Sequence, residues 1–421
     1  MKYVVGLLLL SSFVAYSESA AAVAPKQTGW LDVADCSGIS GWAWDSGQPS
    51  SQLQVDLYDG SIHGQPFASV AAQNYRRDLQ QAGIGAGTHG FYLPTPESLK
   101  DGRTHAIIAA VAGTDTAIQI GTNTLSCPAE ATGYRYYFSD KLATLSADNW
   151  TVRGEASSMN GGLSSSSANG AAMLSRLAVP DGSSEYEVRA TLNLKQSGGV
   201  YTVYLHASAD AMAGPGAAGS YYAVELQNPT FTDKGCTATL EISKRSSESV
   251  TSLHSETVAC NDGMVLRAVS AADGHIGVWL NQWNLITLDD SEVAAGRPGL
   301  GVRGAPSTNS WSAVDLGQLD RIAPGPLSPA DVHVKASANS VELSWPRITD
   351  DPDGIGMGIY TVARDGKVIA NVSRANPIFV DDKVQPGAVY TYEIAGYDMH
   401  LNRTSTFITV ATREGGEVAT K

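Results

Sequence analysis

Along most of the chain, apolar residues recur at every second position, and Gly, Asn, Asp or Pro breaks the run roughly every eight to twelve residues. Gln54-Val55-Asp56-Leu57-Tyr58-Asp59-Gly60 and Tyr222-Ala223-Val224-Glu225-Leu226 are representative. A period of two puts alternate side chains on opposite faces of an extended strand, so the pattern predicts an all-β protein. The helical exception is Asn74-Tyr75-Arg76-Arg77-Asp78-Leu79-Gln80-Gln81-Ala82, with Gly83 as its C-cap. Periodicity fades from Cys127 to Thr132 and again from Ile322 to Pro329, where Ala-Pro-Gly-Pro-Leu-Ser-Pro makes a semi-rigid spacer. These breaks predict three consecutive β-sandwich domains over residues 27–128, 133–320 and 326–413.

Ahead of the first strand, Met1-Lys2 precedes an apolar run, Val4 to Tyr16, and then the small residues Ser17, Ser19, Ala20, Ala21 and Ala22. That layout predicts a secretory signal peptide over residues 1–24, and so a secreted protein, extracellular or periplasmic. The run is too short to span a bilayer, and no membrane insertion is expected. The 42 acidic and 28 basic residues give a net charge of −14, which repels phosphate backbones and argues against nucleic acid as a partner.

Four cysteines allow three pairings. Pairing within domains gives Cys36–Cys127 and Cys236–Cys260, which an oxidising compartment favours. The eight histidines show no metal-binding spacing, and no Cys-x-x-Cys occurs, so neither a metal site nor a cofactor is expected from them.

In the third domain, Val341-Glu342-Leu343-Ser344-Trp345, the strand pattern of Ile359 to Ile369, and Gln385-Pro386-Gly387-Ala388-Val389-Tyr390 together resemble a fibronectin type III domain. The resemblance implies that Trp345 fills the core and that Tyr390 forms a tyrosine corner. The loop Asp350-Asp351-Pro352-Asp353-Gly354 offers three carboxylates but lacks the spacing of a calcium loop. It reads as a solvated acidic turn, with Ca²⁺ at Asp350, Asp351 and Asp353 as the alternative.

In the middle domain, Trp150-Thr151-Val152, the strands Ser184–Leu192 and Gly219–Leu226, Ile276 to Asn281, and Gly296-Arg297-Pro298-Gly299-Leu300-Gly301-Val302 resemble a concanavalin-like or laminin G-like jelly roll of the 3-keto-disaccharide hydrolase type. Glycosidase chemistry needs two carboxylates at a set separation. Here Glu185, Glu187, Glu225, Glu241, Asp289 and Asp290 are scattered, without Glu-x-Asp-x-x-Glu, and read as solvent-facing strand positions. Gly214-Pro215-Gly216-Ala217-Ala218-Gly219 leads into a strand instead of a helix, so it reads as a loop and not a phosphate cradle. Ile276, Val278 and Leu280 share the core face, which turns Trp279 outward as a stacking surface for a sugar ring. Trp283 in the next turn joins it, and Tyr221, which faces opposite Tyr222, is a further candidate.

In the first domain, Gly29 to Asp45 carries Trp30, Trp42 and Trp44. With Asp56 to Gly60, Gly83-Ile84-Gly85, His89-Gly90-Phe91 and Leu99 to His105, it resembles a β-sandwich module that recurs in secreted bacterial proteins, a resemblance that implies no chemistry. Trp42 and Trp44 share a strand face, which suits either a sugar platform or one wall of an Ig-like core. Cys36 nearby favours the core. The expected function is a non-catalytic protein that binds a glycan or an extracellular surface partner through the jelly roll. The alternatives are a polysaccharide-active hydrolase or lyase on the same jelly roll, and a purely structural adhesion scaffold.

Overall fold

A computed structural model describes residues 27–414 apart from short stretches, of which 128–135 and 351–355 are the longest. The expected signal segment, 1–24, lies outside the described residues, as does most of the break at Cys127 to Thr132. The chain is all-β, and its sheets fall into three pairs in sequence order.

The N-terminal pair sets a five-stranded sheet (Asn74–Tyr75, Thr88–Leu93, Ile39–Asp45, Gln27–Ala34, Gln119–Ile120) against a four-stranded one (Ala68–Ala71, Gln54–Asp59, Thr104–Val111, Thr124–Ser126). Leu31, Ile39, Ala43, Val55, Leu57, Phe91 and Ile107 fill the space between them. The expected helix is shorter than its pattern: Asn74–Tyr75 pairs as a strand, and only Arg77–Gln81 is helical. Cys36 and Cys127 are bridged, with Cα atoms 5.5 Å apart, and Cys127 packs into this core.

The core reading of Trp42 and Trp44 is overturned. Ala43 points inward and is fully buried, so Trp42 and Trp44 stand on the outer face of the sheet, half-buried, opposite Trp30 in the Trp30↔Trp42 register. The cause is close packing of the inner face. A side chain at Gly41 would collide with the Trp30 carbonyl and the Phe91 ring, and one at Gly29 with the Trp42 carbonyl, Ala43 and Ile118. Phe91 and Ile118 already occupy the volume that two inward indoles would need.

The central pair is larger. A six-stranded sheet (Tyr136–Asp140, Ser310–Gly317, Tyr186–Asn193, Met264–Ser270, His275–Leu280, Trp283–Asp289) packs on a seven-stranded sheet (Trp150–Gly154, Ala171–Ser175, Arg297–Arg303, Val200–Ala207, Tyr221–Thr232, Gly235–Ser246, Ser249–Cys260). Trp150, Trp311, Tyr186, Tyr201 and Tyr222 are inside the core between them. Cys236 and Cys260 are direct register partners on neighbouring strands and are bridged.

The C-terminal pair sets three strands (His333–Ala336, Val341–Ser344, Ile378–Asp381) against four (Lys367–Val372, Met357–Arg364, Val389–Asp398, Arg403–Ala411). Trp345 sits in its core edge-on to Tyr360, and the Gln385 backbone N–H donates to the Tyr390 hydroxyl at 2.8 Å. That bond back to the preceding turn is the tyrosine-corner arrangement.

The packing above Gly41 makes Gly41→Ala destabilising by about 1–3 kcal/mol, since one added methyl group forces backbone and ring apart. Gly64→Ala, whose added carbon would meet only the Ser61 carbonyl at 3.7 Å, leaves stability unchanged. Calorimetry of the two variants checks the contrast; equal melting profiles would contradict the packing account.

Candidate functional site

The aromatic residues singled out in the middle domain do not form a surface. Trp279 faces away from the jelly-roll core as its strand parity requires, yet it is 0% exposed. Gly277 lets the ring lie against the strand, and Leu401 of the C-terminal unit approaches the same point. Tyr221 is also buried, edge-on to Tyr204 at 5.4 Å, beneath a loop that contributes Ala211, Met212 and Ala213. Gly214, which opens the Gly-rich stretch, continues that loop and sits where a side chain would strike Arg303. Trp283 begins the strand Trp283–Asp289, but its side chain lies outside the described residues. Trp279 and Tyr221 are packing residues, and neither offers a ring face to a sugar.

What covers Trp279 is a loop docked through a buried ionic hub. Glu187 and His400 are both 0% exposed at the side chain and 2.8 Å apart, joining the Tyr186–Asn193 strand to the turn after Asp398. The Asp320 backbone N–H donates to His400 Nδ1 at 2.8 Å, which fixes the tautomer so that Nε2–H donates to the Glu187 carboxylate. Arg267 Nη1 lies 3.6 Å from Glu187 and 2.9 Å from the Met399 sulfur. Burial pushes the Glu187 carboxyl up, but Arg267 and His400 together outweigh it and hold it at about 2.

The carboxylates read as solvent-facing are thus partly internal. Glu187 is the hub, and Glu225 is 5% exposed. Glu225 and Glu241 are register partners on the outer face of the seven-stranded sheet, a proximity that period alone did not reveal. Both oxygens of Glu225 are engaged: Thr202 donates to one at 3.0 Å, Gln227 to the other at 2.7 Å, and Arg303 approaches within 3.3 Å. A carboxylate held this way ties three strands of the sheet together on its outer face.

Of the aspartates considered for calcium, Asp351 and Asp353 lie outside the described residues. Asp350 instead gathers with Asp320 and Asp398, with carboxylate oxygens within 4.8 Å of one another. Burial, more than the neighbouring Asp350 charge, pushes the Asp398 carboxyl up to about 8. Of the three histidines of the first domain, His89 is buried beside Trp44, and His105 bridges Asp59 at 2.7 Å and Asp101 at 2.9 Å.

A group of three tryptophans lies in the N-terminal unit. Trp30, Trp42 and Trp44 share the outer face of the five-stranded sheet, each half-buried, and the Trp44 indole N–H donates to the Pro49 carbonyl at 3.3 Å. Farther along that face Arg76 lies over Gly90 and is paired with Asp32 and Asp78, while Arg347 of the C-terminal unit donates to the Asp32 carbonyl. Sequence spacing puts Trp42 and Trp44 together; the small residues Gly29, Gly41 and Ala43 next to the tryptophans are the signal that the opposite face is the crowded one.

The architecture defines an all-β protein of stacked sandwiches. No protein-family model matches the chain. A stretch of 127 residues, 30% of the chain, is 33% identical to a gellan lyase from a Bacillus species, and the chain spans 5% of that relative's length. Solved structures with similar folds include a legume lectin-like domain from Entamoeba histolytica (16% identity, 41% of this chain and 87% of that one, TM-score 0.27). The calreticulin globular domain of T. cruzi is 13% identical over 44% of this chain and 88% of its own, with a TM-score of 0.32. The FN1–FN3 domains of chicken CNTN1 are 9% identical over 92% and 98%, with a TM-score of 0.20. At such scores these likenesses carry no argument about function. Among the described residues no helix is long and apolar enough to cross a membrane.

Removing the hub carboxylate tests the docking. Glu187→Ala leaves Arg267 and His400 facing a buried void, at a cost of about 3–5 kcal/mol, and small-angle scattering shows a larger maximum dimension as the C-terminal unit swings free. Because the Glu187 carboxyl is held below its ordinary 4.5, its contribution is complete above that pH and disappears as pH falls toward about 2. The wild type therefore opens over that acid range, whereas Glu187→Gln shows a flatter profile there; identical profiles would refute the hub.

Proposed function

We propose that this chain is a secreted, non-catalytic carbohydrate-binding protein whose glycan surface is the strip formed by Trp30, Trp42 and Trp44, not the jelly-roll residues. The observation that carries this is the inversion of the N-terminal sheet: glycine and alanine face its core while three indoles stand on the outside. Indoles are usually buried, and a row of them left half-open marks a contact surface. A rigid sheet fixes the spacing of the rings, so little ordering entropy opposes stacking on the C–H faces of sugar rings. Two disulfides suit an oxidising compartment, and the segment shared with a gellan lyase fits a chain that meets polysaccharide.

Affinity electrophoresis through gels containing a panel of polysaccharides tests the reading. The wild type is retarded by at least one of them. Trp42→Ala and Trp44→Ala each weaken that retardation about tenfold, equivalent to about 1.4 kcal/mol, with unchanged melting temperature. Trp279→Phe is retarded like the wild type. A wild type that runs freely through every gel favours the scaffold alternative, and retardation indifferent to both tryptophan changes removes the strip as the site.

A further inference from the structure

Where the N-terminal unit meets the six-stranded sheet, a polar cleft of about 240 Å³ is lined on one side by Gln73, Asn74 and Tyr92 and on the other by Arg189, Arg267 and Asn281. We propose that this cleft is a separate sugar subsite that takes the carboxylate of an acidic sugar residue, a uronate. It extends the carbohydrate reading to a second surface and does not depend on the tryptophan strip.

Arg189 and Arg267 are direct register partners on adjacent strands, which places two guanidinium-bearing side chains on one face of the sheet. Like charges directly opposed in a sheet are destabilising unless an anion sits near both. The carboxylates at hand do this from a distance. Asp315 reaches Arg189 only at 4.0 Å, the Tyr136 hydroxyl accepts from Arg189 Nη1 at 3.3 Å while its ring lies under the guanidinium, and Glu187, 3.6 Å from Arg267, is shared with His400. Charge-assisted N–H···O bonds close to about 2.7–2.9 Å, so a carboxylate entering the cleft is the closer partner for the planar fork of Arg189. Arg267 is 5% and Arg189 24% exposed at the side chain, so the interaction is made largely out of water, where it is stronger.

The opposite wall supplies the Gln73 and Asn74 side-chain amides, groups suited to sugar hydroxyls. The volume falls below the roughly 300–1,000 Å³ of pockets for drug-sized ligands, which limits the occupant to about one ring. With a chain charge of −14, attraction of an acidic glycan must be local, as this arginine pair is.

Saturation-transfer NMR on the full chain, with methyl glucuronoside as probe and methyl glucoside as neutral control, tests the site. Transfer is expected to the glucuronoside alone. It falls at least about fivefold, roughly 1 kcal/mol, in Arg189→Gln and also in Asn74→Ala, which alters only the far wall. It persists in Trp42→Ala, so a failure of the tryptophan strip and a failure of the cleft are read separately. Equal transfer to the glucoside, undiminished transfer in Asn74→Ala, or displacement of the probe by equimolar sulfate, the mark of a general anion site, overturns the proposal.

Discussion

The buried contact between Glu187 and His400 decides which surfaces of this protein are open. It ties a strand of the central sheet to a turn of the C-terminal unit 213 residues away in sequence, with both side chains out of water. A carboxylate in that position is tolerated because Arg267 and the fixed His400 tautomer meet it, and Asp320 sets the tautomer through its backbone. Breaking such a contact is costly while forming it contributes little net stability, so its effect is chiefly on geometry. Docked this way, Met399, His400 and Leu401 close over the outer face of the six-stranded sheet and seal Trp279.

The same docking explains where sequence reasoning was sound and where it failed. Strand parity placed Trp279 opposite Ile276, Val278 and Leu280, and separated Tyr221 from Tyr222; both relations hold. Parity says which face a side chain takes and nothing about what lies against that face. Trp279 is covered by a loop from another unit and Tyr221 by a loop of its own, contacts with no periodic signature. The tryptophans of the first unit erred in the opposite direction. Their shared face is legible from spacing, but the neighbouring Cys36 pointed to the core and not to the outer face. The inner face is instead set by how close two backbones come, as Gly29 and Gly41 show against Trp42 and Phe91.

Charged residues follow a similar logic. Scattered acidic positions in strands suggested solvent exposure, yet Glu187 and Glu225 are internal because each has cationic or donor partners brought in by sheet register or by another unit. Register could not be read from the sequence, since the hairpins and crossovers that set it lie in turns with many solutions. It is register that puts Glu225 beside Glu241 and Arg189 beside Arg267.

The tryptophan strip and the arginine cleft are related through one strand. Ser40 pairs with Tyr92 and Trp42 with Gly90, so Tyr92, which lines the cleft, stands on the same sheet face as Trp42, with Arg76 lying over the glycine between them. A sheet transmits such spacing rigidly, since neighbouring strands hold a fixed separation of about 4.8 Å. The two surfaces therefore keep a constant offset while the N-terminal unit remains seated against the central one. On the proposed reading, a glycan that spanned both would meet flat indoles first and paired guanidinium groups beyond Tyr92. Stacking tolerates many neutral rings, whereas a bidentate fork discriminates by charge and shape, so the two proposed surfaces would divide affinity and selectivity between different units of the chain.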